Sequence, residues 1–386
     1  MVNPTKIHSL TGRIDMALML SAFLAVKRNR GAAGVDKVSI DLFEANLELN
    51  LASLMADLKS RGSYLPMPLR RVYIPKDRVF WRPIGIPAVR DRVAQQVIRA
   101  LLEPIFEPSF SEFSFGFRPL RNAHQAVEAI LSFREQGFKV VVDADIKGFF
   151  DNINHDLIID LVAQRVADGN ILQIIRQFLT AGVMEDGLFK LTERGTPQGG
   201  VISPLLANIV LNVLDQRLTQ AGFRFVRYAD DFVVLCPDLA SAQQALAFVN
   251  DTLQFELGLS LSAEKSSLSS FKLGFSFLGF QFSQSGVTVR QKSIDKLKDK
   301  IRDITVRSHN LGPHTFLELN RVLRGFAYYF ATPFSSVIRQ FDRLDMWIRN
   351  RLRCMKFKRI SRSDNSRWLI KHLARKGLFS LRSVAT

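Results

Sequence analysis

The chain has 386 residues, 47% of them hydrophobic, which is enough for two or three packed modules and too much for a disordered tail or a small disulfide-stapled scaffold. It carries 53 Lys and Arg against 36 Asp and Glu, a net charge of +17 that points to a polyanionic partner rather than a neutral metabolite. Two cysteines, Cys236 and Cys354, exclude a disulfide framework and a C-x-x-C zinc site, and fit a reducing, cytoplasmic setting.

In chain order, residues 15 to 60 show helical spacing broken by the turn-like Gly31-Ala32-Ala33-Gly34-Val35-Asp36. The apolar run from Ala17 to Val26 follows Asp15, precedes Lys27 and Arg28, and is far short of a membrane span. It reads as the buried face of a helix, and no membrane partner is expected. Leu69 to Ile86 mixes β-branched residues with Pro and Gly and predicts a hairpin; helical spacing resumes from Arg90 to Pro104.

Lys139 to Ala144 is a short β-branched run that predicts a buried strand leading into Asp145. From Phe223 to Cys236, two aromatic and β-branched runs flank Ala229-Asp230-Asp231, predicting a second strand pair with that triplet at its turn. After Phe282 the pattern becomes helical, with Ile294, Leu297, Ile301 and Ile304 in one apolar stripe. Residues 281 to 386 hold 23 Lys and Arg against 7 Asp and Glu, so +16 of the +17 lies there. No repeat or low-complexity tract interrupts the chain. The class is mixed α/β (α+β), divided as 1–138, 139–284 and a basic helical module, 285–386.

The chemistry-bearing feature is acidic. If the strand ending at Asp145 lies beside the one turning at Asp230 and Asp231, three carboxylates converge in a chain otherwise built to attract phosphate. Such carboxylates repel one another unless a cation sits between them, and Mg²⁺ suits them. A lone Asp-Asp turn is ordinarily just solvated; the apolar flanks and the third carboxylate favour a metal site.

These segments resemble a known family. Asp145-Ile146-Lys147-Gly148-Phe149-Phe150-Asp151-Asn152-Ile153, Thr196-Pro197-Gln198-Gly199-Gly200-Val201-Ile202-Ser203-Pro204 and Tyr228-Ala229-Asp230-Asp231 resemble the reverse transcriptases of group II introns and their bacterial relatives. Gly31 to Asp36, Phe115-Gly116-Phe117-Arg118-Pro119, Leu261-Ser262-Ala263-Glu264-Lys265 and Phe277-Leu278-Gly279-Phe280 extend the match in the family's order over most of the chain. The resemblance implies a right-hand polymerase with fingers, palm and thumb. Asp145, Asp230 and Asp231 would be its catalytic carboxylates, and with the Ile146 backbone carbonyl they would hold two Mg²⁺ ions, Mn²⁺ being a possible substitute. Asp143 and Asp151 lie close by in sequence, but the motif does not place them at the metals, and both are expected to be solvated or capping.

The same resemblance implies dNTP contacts at Lys76, Arg82, Phe150, Gln198 and Lys265. Phe150 matches a steric gate against the ribose 2′-hydroxyl, though a core aromatic fits it too; Lys76 and Arg82 suit triphosphate oxygens, and hairpin charges that simply face water are the ordinary alternative. Arg118 resembles a template contact. Leu323 to Phe330 and Leu344 to Arg353 look like the thumb, or maturase, region, where Arg324, Arg349, Arg351 and Arg353 would grip nucleic acid, with Arg349 and Arg353 on one helical face.

The expected activity is therefore RNA-directed DNA polymerisation on a structured or non-coding RNA template, with a DNA primer or cDNA product and dNTPs. The setting is either a compact group II intron protein or a domesticated relative in antiphage defence or DNA repair. The alternatives are a non-catalytic RNA-binding maturase, against which the intact carboxylates and Gln198 argue, and an RNA-dependent RNA polymerase, against which Phe150 argues. No Cys/His-rich segment resembling an endonuclease follows Leu381 in this sequence, so autonomous DNA cleavage is not expected, and the residues set no oligomeric state.

Overall fold

The computed structural model describes residues 6–75 and 81–385. It divides into two compact units, Met1–Leu268 and Ser269–Thr386.

The first unit opens with α1 (Met16–Arg28), whose first turn is capped by the Asp15 carboxylate accepting from Leu18 N, 2.8 Å away. Met19, Ala22, Phe23 and Val26 form its buried face, as the spacing predicts. After α2 (Ile40–Glu44) and α3 (Leu47–Lys59), strands β1 (Leu69–Pro75) and β2 (Trp81–Ile86) pair antiparallel. The 18-residue α4 (Val89–Phe106) is buried on most sides, and α5 (Ala123–Glu135) starts at an Asn122/Gln125 capping box.

Next come β3 (Val140–Asp145), α6 (Phe149–Asn152), α7 (His155–Ala163), α8 (Gly169–Thr180), β4 (Val183–Glu185) and β5 (Leu188–Lys190). The unit continues through α9 (Ser203–Gln220), β6 (Arg224–Tyr228), β7 (Asp231–Cys236) and α10 (Leu239–Asp251). One four-stranded sheet runs β2-β1-β4-β5. The other runs β6-β7-β3-β8, where β8 (Ser267–Ser270) carries the chain from the first unit into the second.

Helices α5, α9 and α10 pack against this second sheet. Phe232, Val233, Val234 and Leu235 of β7 are therefore at most 1% exposed, a continuous apolar run rather than an alternating one, because both faces are covered. Each such side chain stabilises the fold by roughly 1.5–3 kcal/mol. The central hairpin that presents the acidic turn thus rests on a rigid base.

The second unit begins with β9 (Phe275–Phe277), β10 (Phe280–Ser283) and β11 (Gly286–Val289), an antiparallel sheet, followed by α11 (Gln291–Ile304), α12 (Pro313–Phe330), α13 (Ile338–Phe357), α14 (Asp364–Arg367) and α15 (Ile370–Arg375). The helical pattern expected from Phe282 starts later, because β11 intervenes and its Val287 pairs with Ser335. Phe280 of β10 packs on Tyr329, Phe330 and Phe334, so this small sheet shares the core of the helices that follow. Ile294, Leu297 and Ile301 are the buried stripe of α11. No helix among the described residues is long and apolar enough to cross a membrane.

Candidate active site

Asp145, the last residue of β3, stands directly opposite Asp231, the first of β7, in an antiparallel ladder. Opposed residues point to the same face with Cβ atoms about 4.5–5.5 Å apart, so two carboxylates from distant parts of the sequence meet there. Asp230 precedes Asp231 in the turn. Its carboxyl is pushed above the ordinary range by burial first and by the charge of Asp145 second; its own backbone N–H and the charges of Arg82 and Arg227 pull it back.

The segment after β3 completes the acidic corner. Ser262 N donates to the Asp145 carbonyl at 2.8 Å and Lys147 N to Ser260 O at 2.9 Å, flanking an isolated antiparallel bridge between Ile146 and Leu261. At such a position the Ile146 carbonyl turns away from Leu261, toward the β7 side of β3, where the ladder ends at Asp145 opposite Asp231. Lys265, three residues past Ser262, reaches back so that its Nζ lies 3.0 Å from Asp145 Oδ2.

The donors are all hard oxygens, which fits Mg²⁺, an ion held by one or two carboxylates and completed by substrate phosphates and water. Among the described residues no three His, Cys, Asp or Glu side chains are gathered closely enough to hold an ion unaided.

Around the corner stand the other expected residues. Phe150 is half-buried in α6, edge-on to the buried ring of Phe149 with centroids 5.1 Å apart, and its carbonyl accepts from Thr196 N at 2.7 Å. The loop of Gln198 is thereby tied to α6. It is also tied to β2, where Gly85 N donates to the Gln198 carbonyl at 2.9 Å. Gly199 has φ +117°, and a Cβ there would lie 2.4 Å from Gly85 O, so only glycine allows this approach. Gln95 of α4 supports the loop from below, its Oε1 accepting from Val201 N at 2.7 Å. Arg82, exposed on β2, lies close enough for its charge to act on Asp230. Lys76 lies outside the described residues. Asp143 is half-buried within β3 and Asp151 exposed in α6.

Arg118 is placed differently from expectation. Its side chain is 5% exposed, pairs with Glu107 and donates to the carbonyls of Ser111 and Ser114, so its guanidinium is spent on organising its own loop and is not presented to a template. Two of the C-terminal arginines are likewise turned inward. Arg353, 7% exposed, donates to Trp368 O and to Asn350 and Asn365, with burial and the neighbouring Arg349 lowering its pKa; Arg351 donates to Thr305 O and Oγ1. The helical face shared by Arg349 and Arg353 is therefore not a gripping face. Packing of the 364–368 segment over the end of α13 captures Arg353, and Thr305, the residue just past α11, captures Arg351 through its carbonyl and hydroxyl. Arg324 is exposed, its guanidinium over the Phe379 ring at 5.6 Å, and Arg349 is half-buried.

The residues that seat the acidic turn escaped the sequence reading. Arg227 and Asp215, both 0% exposed, form a buried ion pair behind the turn, and Asn208 joins them. Their signal is a charged residue inside the apolar run Phe225-Val226-Arg227-Tyr228, where burial demands a partner.

With this geometry in view, comparison with known families is direct. Residues 74–282 match the family of reverse transcriptases (RNA-dependent DNA polymerases), and residues 294–374 match the group II intron maturase-specific domain. The chain belongs to the reverse transcriptase family: it is a right-hand polymerase of the RNA-directed DNA polymerase class, of the group II intron type. That family works with divalent metals and copies RNA templates.

Among its relatives, protein YkfC of Escherichia coli K12 is 34% identical over 284 residues, 64% of this chain and 74% of that protein. The group II intron-encoded protein LtrA of Lactococcus lactis subsp. cremoris is 40% identical over 208 residues, 53% of this chain but 34% of LtrA. This chain therefore aligns with about a third of LtrA's length. A telomerase structure from Candida albicans, in complex with a fragment of telomeric RNA, superposes on 83% of this chain and 64% of its own at 13% identity and TM-score 0.47.

Proposed function

We propose that Asp145, Asp230 and Asp231 hold two Mg²⁺ ions, with the Ile146 carbonyl as a further ligand, and that the chain extends a DNA primer along a structured or non-coding RNA using dNTPs. The observation that carries this reading is the register of Asp145 against Asp231, with Asp230 beside them under the charge of Asp145. Bound there, the ions would activate the primer 3′-hydroxyl and stabilise the leaving diphosphate. Asp145 and Asp230 hold them most directly, and Asp231 supports.

The chain's other residues then bind and orient the nucleotide. Arg82, already near Asp230, offers a guanidinium fork to the triphosphate, and Lys76 would add a point charge. Lys265 balances the charge of Asp145 and would offer its ammonium to the nucleotide phosphates. The ring of Phe150 closes the space beside the sugar C2′, and the Gln198–Gly199 backbone walls the pocket against β2.

Functionally we divide the chain into an N-terminal extension and fingers with parts of the palm (1–138), palm (139–284) and basic thumb (285–386), the last holding RNA through exposed cations such as Arg324. The maturase-specific match of this region favours a structured RNA as partner. The test is extension of a DNA primer on an RNA template across a Mg²⁺ titration. The reading predicts synthesis that needs Mg²⁺, accepts Mn²⁺ and is lost in Asp145→Asn; synthesis in excess chelator, or parental synthesis by Asp145→Asn, refutes it.

A further inference from the structure

The guanidinium of Arg227 lies wholly buried in the strand that feeds the Asp230–Asp231 turn, and neither metal nor nucleotide binding as described above uses it. Its Nε and one terminal nitrogen donate to the two oxygens of Asp215 on α9, a bidentate pair. The other terminal nitrogen donates twice, to Asn208 Oδ1 and to the Ala229 carbonyl, both at 2.9 Å. Asn208 in turn donates to the Gly116 carbonyl at 2.9 Å.

The bond to Ala229 is the informative one. Ala229 has φ +59°, the left-handed conformation that costs a non-glycine residue roughly 1–2 kcal/mol. It is the residue directly before Asp230. Its far side is blocked by Gly116, where a Cβ would lie 2.2 Å from Ala229 N, and the Gly116 segment is itself hydrogen-bonded to Arg227, through Phe115 N to Arg227 O at 2.8 Å. The turn is therefore gripped from the strand, from α9 and from the 113–116 segment at once. A buried ion pair is no efficient way to stabilise a fold, since well-packed apolar residues of similar volume do as well or better. What an apolar pair could not do is hold the Ala229 carbonyl.

We propose that Arg227, oriented by Asp215 and Asn208, is a positioning residue that locks the left-handed Ala229 turn and thereby fixes where the Asp230 carboxylate stands. The inference rests on the reading of Asp230 as a metal-holding carboxylate. Arg227→Lys keeps a charge for Asp215 but loses the planar fork that spans Asp215, Asn208 and Ala229.

The experiment is single-turnover extension on a primed RNA template by the full chain, comparing the parent, Arg227→Lys, Asn208→Ala, and Arg227→Lys combined with Ala229→Gly. A carboxylate displaced by a fraction of an ångström lowers the rate constant by about tenfold or more. Primer–template affinity and the dNTP concentration for half-maximal rate should stay at parental values, because Arg227 touches neither. Glycine adopts the left-handed turn without strain, so Ala229→Gly should restore part of the lost rate in the Arg227→Lys background.

A merely structural role predicts a different pattern: a smaller fraction of active molecules, seen as reduced amplitude with the parental rate constant and no rescue. That pattern, in Arg227→Lys or in Asn208→Ala, overturns the proposal. If Arg227→Lys fails to fold, Asn208→Ala, which leaves the ion pair intact, must show the rate loss by itself. Asp230→Asn run alongside separates the two levels. If it extends as the parent does, the metal reading and this inference fall together; if it is inactive while Arg227→Lys keeps the parental rate constant, only the inference falls.

Discussion

Gly199 lies against Gly85: a Cβ on the former would sit 2.4 Å from the carbonyl oxygen of the latter, and the preceding residue, Gln198, accepts a hydrogen bond from Gly85 N at 2.9 Å. This contact seals the loop of one sequence motif onto the hairpin that carries Arg82. Gly199→Ala should break it on two counts, steric overlap with a backbone atom and a φ of +117°. We predict a loss of about 1–3 kcal/mol of stability, read by denaturant unfolding, and a raised dNTP requirement in extension assays.

Phe150 is half-buried and braced by Phe149, so its ring is held in place without being consumed by the core. Phe150→Ala should raise ribonucleotide incorporation relative to dNTPs while leaving the protein folded, because the braced ring is what would exclude a 2′-hydroxyl. Competition between rNTPs and dNTPs on one template reads this directly; an unchanged ratio would reduce Phe150 to a packing residue.

The C-terminal arginines separate into two groups with opposite expected phenotypes. Arg353→Ala should lower thermal stability and leave the salt dependence of RNA binding intact, since its guanidinium is committed to Trp368 O and two asparagines. Arg324→Ala should leave stability within about 0.5 kcal/mol and reduce the slope of log affinity against log salt by up to about one unit if a phosphate contact is lost. Binding measured across a salt series, together with melting curves, resolves the pair.

His155 is 6% exposed, its Nε2 lying 2.7 Å from the Gly195 carbonyl, and burial pushes its pKa below the ordinary imidazole value. Below pH about 6.5 the unfolded chain binds a proton at this residue that the folded chain resists, so acid weakens the fold here. The melting-temperature advantage of the parent over His155→Gln should therefore shrink between pH 7.5 and 5.5. An advantage that grows toward acid would contradict the assignment.

Much of the palm was legible because its signals are local. The β-branched run into Asp145 and the paired runs around Ala229-Asp230-Asp231 specify strands and a turn, and the structure has β3, β6 and β7 there. What sequence could not reveal is where long cationic side chains end. Arg118, Arg351 and Arg353 read as free charges because their acceptors, Glu107 and the Ser111 carbonyl, Thr305 and Trp368, meet them only through tertiary packing. Arg227 escaped for the converse reason: its partners Asp215 and Asn208 lie on α9, and helical spacing does not tell which face meets the sheet. The small sheet before α11 was missed in part because Gly286–Val289 is too short for its alternation to stand out.

The central claim, that Asp145 and Asp231, opposed by the β3–β7 register, act with the neighbouring Asp230 in RNA-templated DNA synthesis, is tested most directly with Asp230→Asn. Primer extension and RNA binding should be measured on the same preparation, at a fixed Mg²⁺ concentration and salt. The account predicts that the variant binds primed RNA with parental affinity and adds no dNTP to the primer. Extension at the parental rate by a protein carrying Asn at this position would contradict it.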